Sequence, residues 1–232
     1  MTDGPLSASD TTKCNICGSG EFLPGPNGRM ARSGKLPCCA GCASLERHRG
    51  LRALLSPLPR EFFATRRAVQ FAPERAPDRA LDPAWFAEFE EYIVPSPAIP
   101  SIAQTPAADH SADFISFSHL LEFEADDQAA FAELCRIASP TAVLNIAFTS
   151  SMQSATTTGF DPPKPPYGRH WEYGRDIVTR FALAERGLRG MVVTMHDPVT
   201  ETSEQTHFFC RRDGDYEFLE RAFKGRTEII SI

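Results

Sequence analysis

The feature that most constrains this chain is a set of closely spaced cysteines near its N-terminus. The stretch "CNIC" holds Cys14 and Cys17, and "CCAGC" holds Cys38, Cys39 and Cys42. Between them lies a Gly- and Pro-rich insert, "GSGEFLPGPNGRMARSGKLP", which has few large apolar residues. Such a segment cannot build a hydrophobic core alone, so it needs a cross-link or a metal ion to fold.

The spacing of these cysteines predicts one structural zinc ion. Two C-x2-C pairs each supply two ligands to a tetrahedral site, and Cys14, Cys17, Cys39 and Cys42 fit this pattern. Cys38 could replace Cys39 and give a C-x3-C pair, but the C-x2-C spacing is more usual. With thiolates in all four positions, no position stays open for water or substrate. A redox C-x-x-C pair would follow a strand and open a helix, and no such pattern is found here.

The bulk properties point to a globular intracellular protein. The N-terminus has no apolar signal sequence, and no apolar run reaches the length of a membrane span, so we expect a cytoplasmic protein without membrane contact. In a reducing compartment, close cysteines are metal ligands more often than disulfides. Cys135 and Cys210 fall in apolar patterns typical of a core. The net charge of −6 makes a nucleic-acid partner unlikely.

The pattern of the sequence divides the chain into four parts. Residues 1–12 are predicted to be a disordered tail, and residues 13–55 a zinc ribbon with a linking helix, "SLERHRGLRALL". In that helix the leucines are expected to face the core. The Arg/His run is expected to face solvent or to form salt bridges at a domain interface, with a phosphate-binding patch as the alternative. Residues 56–212 are predicted to form the main domain, and residues 213–232 a C-terminal extension.

Short apolar runs alternate with helical patterns along the main domain. Strands are predicted at 68–72, 89–94, 112–119, 141–148, 191–196 and 206–212, and helices at 124–138 and 174–187. This alternation favours an α/β fold with a mostly parallel sheet covered on both faces, and an antiparallel pairing of its last two strands. The Pro-rich segments "VPSPAIPSIAQTP" and "DPPKPPYG" are predicted to form long loops near the functional edge, which is the edge of the sheet where the functional site is expected.

Four motifs occur in an order that resembles a bacterial family. They are "CASLERHR", "VQFAPE", "ADFISFSHLLE" and "YGRHWEYGRD". The chain resembles class I S-adenosylmethionine-dependent methyltransferases that carry an N-terminal zinc ribbon, in which the ribbon ends in a motif like "CGSLERHR" and two strands end in "hFAPE" and "SHVLEH". The resemblance spans residues 14–212 and identifies the chain as a divergent member.

The resemblance implies a doubly wound, Rossmann-like methyltransferase sheet with a small N-terminal zinc ribbon, and S-adenosylmethionine as cofactor beyond the carboxyl ends of the strands. Carried over by position, the cofactor edge includes Phe71, Ala72, Pro73 and Glu74 after the first strand, and Ser118 and His119 after a later one. No catalytic residue is assigned. His119 and His170 are candidates for a general base, with simple packing as the alternative for both.

The chain departs from the family pattern where the nucleoside would be held. The second strand ends in "YIVPSP", without the usual acid for the ribose, and "SIAQTPA" has Ser101 where the adenine motif has Asp. A G-x-G loop is also missing. Glu74 could compensate, or it could merely cap a helix. Losing two charge-assisted hydrogen bonds predicts a loss of about two to four decades of affinity.

Three functions follow as hypotheses. The first is a methyltransferase acting on a small molecule, sugar or peptide. The second is a catalytically degenerate methyltransferase fold that serves as a binding or assembly subunit, with the ribbon contacting a protein partner. The third is an RNA methyltransferase, which the acidic composition and the absence of interleaved basic and aromatic residues disfavour.

Overall fold

A computed structural model describes residues 12–72, 80–150, 152 and 154–232. The strands in this part of the chain are β1 (Phe22–Leu23), β2 (Cys38–Cys39), β3 (Arg67–Ala72), β4 (Glu88–Ile93), β5 (Ala112–Ser118), β6 (Ala138–Ala147), β7 (Thr158–Lys164), β8 (Arg169–Glu172), β9 (Arg189–His196), β10 (Ser203–Cys210) and β11 (Ile229–Ser231). The α-helices are α1 (Glu46–Leu55), α2 (Asp127–Ile137), α3 (Ile177–Arg180) and α4 (Asp213–Phe223). The predicted tail, residues 1–12, lies almost wholly outside the described residues.

One seven-stranded sheet organises the molecule, in the order β11-β9-β10-β6-β5-β3-β4. Strands β4, β3, β5 and β6 are parallel. Strand β10 is antiparallel to both β6 and β9, and β11 is antiparallel to β9. The sheet is therefore mixed, with β9 running in the direction of the parallel block, and the expected antiparallel pairing of the last two predicted strands, β9 and β10, is confirmed. Strand order reverses between β3 and β5, which gives the expected α/β, Rossmann-like topology with a switch point at that boundary.

Alternate side chains of the strands enter two separate cores, because successive residues of a strand point to opposite faces. Ile115 shares one core with Phe131 of α2. Its neighbour Phe114 shares the other core with Leu51 of α1 and with residues of α4. Helices thus cover both faces, as expected for a doubly wound sheet.

A short row of buried polar side chains crosses the sheet on the α1 face. The Ser116 hydroxyl donates to Asn145 Oδ1 at 3.2 Å, and Asn145 Nδ2 donates to Thr206 Oγ1 at 2.8 Å. Because buried polar groups without partners are costly, this row favours one alignment of β5, β6 and β10.

The helix predicted at 174–187 is mostly wrong. Only α3 is helical, and turns follow it. Ala182 has a φ of +46°, a left-handed conformation that interrupts a right-handed helix. Tertiary contacts hold the segment in this form: Phe181 stacks on Phe131 with ring centroids 4.2 Å apart, and Arg180 pairs with Asp127 at 2.6 Å.

The last twenty residues contribute to the main sheet. Helix α4 packs on β9 and β10, and β11 forms the sheet's edge beside β9. The Tyr216 hydroxyl donates to Ser231 Oγ at 2.8 Å and joins these two elements. The sequence pattern treated residues 213–232 only as an extension.

Helix α1 links the cysteine-rich segment to the sheet, as predicted. Its buried leucines belong to the core. Of the alternatives expected for its charges, Arg49 takes the salt bridge and not solvent, since it is 0% exposed. Arg49 donates to both carboxylate oxygens of Asp197, at 2.9 and 2.7 Å, and to the Ser44 carbonyl at 2.8 Å. This buried, hydrogen-bonded ion pair ties α1 and the cysteine-rich segment to the β9–β10 turn.

Candidate functional site

The first candidate site is the cysteine cluster at the N-terminus. The Sγ atoms of Cys14, Cys17, Cys39 and Cys42 all lie within 4.8 Å of one another. Cys14 Sγ lies 3.8 Å from Cys42 Sγ, and Cys17 Sγ lies 3.5 Å from Cys39 Sγ. A tetrahedral zinc ion with bonds of ~2.3 Å requires its sulfur ligands about 3.8 Å apart. The cluster could therefore hold a metal ion.

Local backbone structure brings the four thiols together. The Gly18 N–H donates to the Cys14 carbonyl at 2.8 Å, and Gly18 has a φ of +78°, which favours glycine at this turn. Strand β2 pairs with β1 and carries Cys39 into the cluster. The Cys38 thiol is directed toward the Cys39 carbonyl, at 3.9 Å, and is not among the clustered atoms.

The second candidate site is a cleft of about 1110 Å³ at the carboxyl ends of the parallel strands. Val94 follows β4, His119 follows β5, and Phe148 follows β6, and all three line the cleft. The opposite wall includes Arg29 and Arg47, from the cysteine-rich segment and α1. The volume lies slightly above the range typical of small-molecule sites.

His119 is held between two carboxylates on the wall of this cleft. Its Nδ1 lies 2.9 Å from Glu122 Oε1, and its Nε2 lies 2.7 Å from Glu204 Oε1. Burial opposes protonation, but the hydrogen bonds to Glu122 and Glu204 outweigh it and raise the pKa of His119 to about 9. The ring is therefore an imidazolium at neutral pH, with both nitrogens donating. It is not available as a general base.

The backbone at His119 is as constrained as its side chain. Its φ is +55°, and its N–H donates to the Ala147 carbonyl at 2.6 Å. Histidine is among the residues that tolerate the left-handed region. This conformation ends β5 and turns the chain into the segment that carries Glu122.

Glu122 is buried and connects two strand ends. Its Oε1 accepts from His119 and from both the N–H and the hydroxyl of Thr149, each at 3.1 Å. Burial favours the neutral acid, but the His119 hydrogen bond and charge lower the pKa of Glu122 below its usual range. The pKa of Glu204 is lowered by the same partner against the effect of its burial.

The residues assigned to the cofactor edge by resemblance, His119 apart, lie in different places. Phe71 and Ala72 end β3 fully buried, and neither lines the cleft. Pro73 and Glu74 lie outside the described residues. Ser118, at the end of β5, is nearly buried beside His119. Of the four residues of this set that the structure describes, only His119 lines the cleft.

The segments that would hold a nucleoside carry few free polar groups. Strand β4 is followed by Val94 and Pro95, which give the cleft an apolar wall. Glu124 lines the cleft, but its carboxylate accepts from the Ser101 hydroxyl at 2.7 Å and from the Ile102 N–H at 2.8 Å. Ser101, which stands where the family's adenine motif has Asp, therefore donates to the Glu124 carboxylate. That carboxylate could otherwise face a ligand.

A β-hairpin forms where a Pro-rich loop was predicted. Strands β7 and β8 pair antiparallel, and the hairpin places Tyr167 and Arg169 on the cleft. Trp171 fixes the hairpin, since its Nε1 donates to the Glu124 carbonyl at 2.9 Å. His170, a candidate base in the sequence, is not among the described residues that line the cleft.

Sequence patterns missed several residues of the cleft. Glu204 is separated from His119 by 85 positions, and nothing local marks their pairing. Arg47 lies in the "SLERHR" motif, which identified a helix but not which of its charges reach the cleft. Signals were present for the two Pro-rich segments, which were expected near the functional edge and supply Val94, Pro95 and Tyr167, and for the Arg/His run that contains Arg47, for which a phosphate-binding patch was one alternative.

Comparisons with known proteins give similarities of fold. No protein-family model matches the sequence, and comparison with curated proteins gave no significant match. Among solved structures, a SAM-dependent methyltransferase from Thermotoga maritima, described as a possible histamine N-methyltransferase, is similar over 72% of this chain and 90% of its own, with 13% identity and a TM-score of 0.44.

Two further structures are similar at the same level. A Burkholderia thailandensis 1,6-didemethyltoxoflavin-N1-methyltransferase with bound S-adenosylhomocysteine covers 71% of this chain and 79% of its own, with 9% identity and a TM-score of 0.46. The 4+2 cyclase SpnF covers 76% and 89%, with 10% identity and a TM-score of 0.49. These similarities do not determine what this chain acts on. The assignment of its fold rests on the strand order described above.

No helix in the described ranges is both long enough and apolar enough to cross a bilayer.

Proposed function

We propose that this protein is a methyltransferase-like protein that binds S-adenosylmethionine in the cleft at the carboxyl edge of its sheet, together with a small-molecule, sugar or peptide acceptor. The single observation that carries the proposal is the position of the cleft. Its described lining includes residues that follow β4, β5 and β6, on both sides of the β3–β5 boundary where the strand order reverses, and such boundaries are where open α/β sheets bind ligands. A structural zinc ion held by Cys14, Cys17, Cys39 and Cys42 stabilises the ribbon.

The cleft suits the cofactor by size and by place, and one group of side chains in it offers local negative charge. Val94, Leu120 and Phe148 offer apolar surface to a nucleoside. His119 with Glu122 and Glu204 carries one net negative charge, because one imidazolium faces two carboxylates. A cationic sulfonium is favoured near such a group. The cofactor, when bound, supplies an electrophilic methyl group, and the protein aligns the acceptor with it.

His119 acts in this proposal as a fixed cationic donor. Its raised pKa keeps the proton on the ring at neutral pH. It therefore orients Glu122 and Glu204 and does not take a proton from the acceptor. An acceptor that is already nucleophilic at neutral pH suits this arrangement.

Calorimetric titration with S-adenosylmethionine and S-adenosylhomocysteine tests the proposal. We expect dissociation constants of about tens of micromolar or weaker, since two usual acidic anchors are missing. Glu204→Gln should weaken binding of the cationic S-adenosylmethionine and leave that of the neutral S-adenosylhomocysteine nearly unchanged. No binding of either ligand at millimolar concentration would refute the proposal. Submicromolar affinity would show that other groups replace the missing acids, with Glu74→Gln the first variant to test.

The second candidate function is a degenerate methyltransferase fold that binds a partner. The fully buried Phe71 and Ala72 at the end of β3 favour it, because both side chains serve the core. Leu23 and Leu36 are exposed on the ribbon and are available to a protein partner. Absence of cofactor binding in the same titration would favour this candidate.

A further inference from the structure

The charges that line the cleft are unequally satisfied. All four carboxylates have hydrogen-bond or ion-pair partners: Glu46 pairs with Arg29, Glu122 and Glu204 with His119, and Glu124 with the 101–102 segment. Among the arginines, Arg29 and Arg169 are paired with glutamates. In the described part of the chain, Arg32 and Arg47 form no ion pair.

Arg47 is the more significant of these two cations. It is half-buried in the first turn of α1, and its Nε is buried without a hydrogen-bond partner among the described residues. Its charge contributes to the lowered pKa of Glu204, so the two are near neighbours, but they make no ion pair. The Arg47 guanidinium has no carboxylate partner within the described ranges, and an anionic ligand in the cleft would supply one through charge-assisted hydrogen bonds.

Arg32 is carried to the same cleft by a loop with two anchors. Arg29 binds both carboxylate oxygens of Glu46, at 2.8 and 2.7 Å, which fixes the loop to the start of α1. Lys35 pairs with Glu201 at 3.0 Å, which fixes it to the β9–β10 turn. Arg32 lies between these anchors, and its side chain is exposed toward the cleft it lines.

Apolar side chains are exposed in the same cleft. Met30, Phe123 and Tyr167 are 44, 38 and 61% exposed, and they are three of the five large apolar side chains that the described residues expose. All three line the cleft, from three different segments of the chain. Exposed apolar side chains gathered in a concave site indicate a ligand with an apolar body.

We infer that the ligand accepted beside the cofactor is an organic anion with an apolar or aromatic body. Arg47, with Arg32, binds its carboxylate or phosphate group, and Met30, Phe123 and Tyr167 contact its body. This inference deepens the proposed function and names the class of its acceptor. Arginine suits the role because its planar fork of N–H donors matches the oxygens of carboxylates and phosphates.

Matched probes test the inference by calorimetry. The probes are 2-naphthoate, 2-naphthyl phosphate, the neutral 2-naphthamide, and acetate as an anion without an apolar body. We expect one or both naphthyl anions to bind at least about tenfold more tightly than 2-naphthamide and acetate. Preference between carboxylate and phosphate then identifies the anionic group.

Variants assign the binding to the named residues. Arg47→Gln should weaken the preferred anion about tenfold or more and leave 2-naphthamide unchanged, while Tyr167→Ala should weaken both. Arg221→Gln, on the exposed face of α4, is the matched control and should change neither. Circular dichroism melting checks that each variant is folded.

The outcomes separate this inference from the proposed function. Equal binding of anions and 2-naphthamide, or anion binding that persists in Arg47→Gln, would overturn the inference. Binding of S-adenosylhomocysteine alongside that result would leave the proposed function intact. Arg47-dependent anion binding in a protein that binds no S-adenosylhomocysteine would support the anion site and overturn methyl transfer.

Discussion

Arg49 and Asp197 form a buried, bidentate ion pair between α1 and the β9–β10 turn. The side chains are 0 and 1% exposed, and their closest atoms are 2.7 Å apart. Thr200 adds its hydroxyl and N–H to the same carboxylate, at 2.6 and 3.1 Å. Burial alone would raise the pKa of Asp197, but Arg49 and Thr200 lower it below the usual range.

Breaking this pair should be strongly destabilising. Asp197→Asn leaves the Arg49 charge buried without a counter-ion, and we expect a loss of about 3–5 kcal/mol in the free energy of unfolding. Glu46→Gln, which breaks the more exposed pair with Arg29, is the control and should cost under about 1 kcal/mol. Urea unfolding followed by circular dichroism measures both. Equal losses in the two variants would contradict the role assigned to burial.

The two carboxylates that hold His119 should make the free energy of unfolding fall as the pH rises into the alkaline range. Its pKa is raised from 6.5 to about 9, so the stabilisation is fully present below pH 6.5 and is lost as pH rises through 9. We expect wild type to lose about 1–3 kcal/mol relative to His119→Asn across this window. Asparagine is the matched replacement, because it tolerates the left-handed backbone at this position.

Urea unfolding at several pH values between 6 and 10 measures this effect. Parallel stability curves for wild type and His119→Asn would show that His119 does not titrate in the folded protein as stated. Glu204→Gln should flatten the dependence in part, since it removes one of the two carboxylates that raise the pKa.

The cysteine cluster predicts one zinc ion per chain and distinguishes two neighbouring cysteines. Cys39→Ser should lose most of the zinc, because it removes one of the four clustered thiolates. Cys38→Ser should keep it, since the Cys38 thiol is not in the cluster. Elemental analysis of protein purified without added metal measures both. Full zinc in Cys39→Ser with loss in Cys38→Ser would reverse the assignment.

Gly159 should be required for the position of the β7–β8 hairpin. A Cβ at this residue would lie 2.7 Å from Trp171 Cζ3, which is closer than real atoms approach. Gly159→Ala should displace the indole and weaken its bond to Glu124, at a cost of about 1–3 kcal/mol. Thermal unfolding measures the loss. Gly214→Ala, where a Cβ meets no atom within 4 Å, is the control and should lose nothing.

Local patterns predicted the strands of the parallel block well, because buried strands are marked by short apolar runs. The runs at 68–72, 89–94 and 112–119 correspond to β3, β4 and β5 within a residue or two. The helix at 124–138 was also found, and the Asp126 carboxylate caps it by accepting from the Ala129 N–H at 2.9 Å. In these segments local propensity and tertiary packing favour the same structure.

The sequence was less informative where distant contacts decide the conformation. The segment at 174–187 has a helical pattern, but its contacts with α2 hold most of it in turns. The two candidate sites also differ in how far local sequence patterns predict them. The spacing of cysteines is local and predicted the cluster, whereas the carboxylate that holds His119 comes from β10, far along the chain.

One wall of the cleft belongs to the cysteine-rich segment and α1, and the residues that hold this wall in place lie in the β9–β10 turn. Arg49 is 148 residues from Asp197, and the loop that carries Arg32 is held by Glu201. During synthesis the cysteine-rich segment is made well before Asp197 and Glu201, the residues that dock it. The cleft therefore cannot be completed before these residues have been translated, so a nascent or truncated chain that stops short of Asp197 has no finished cleft.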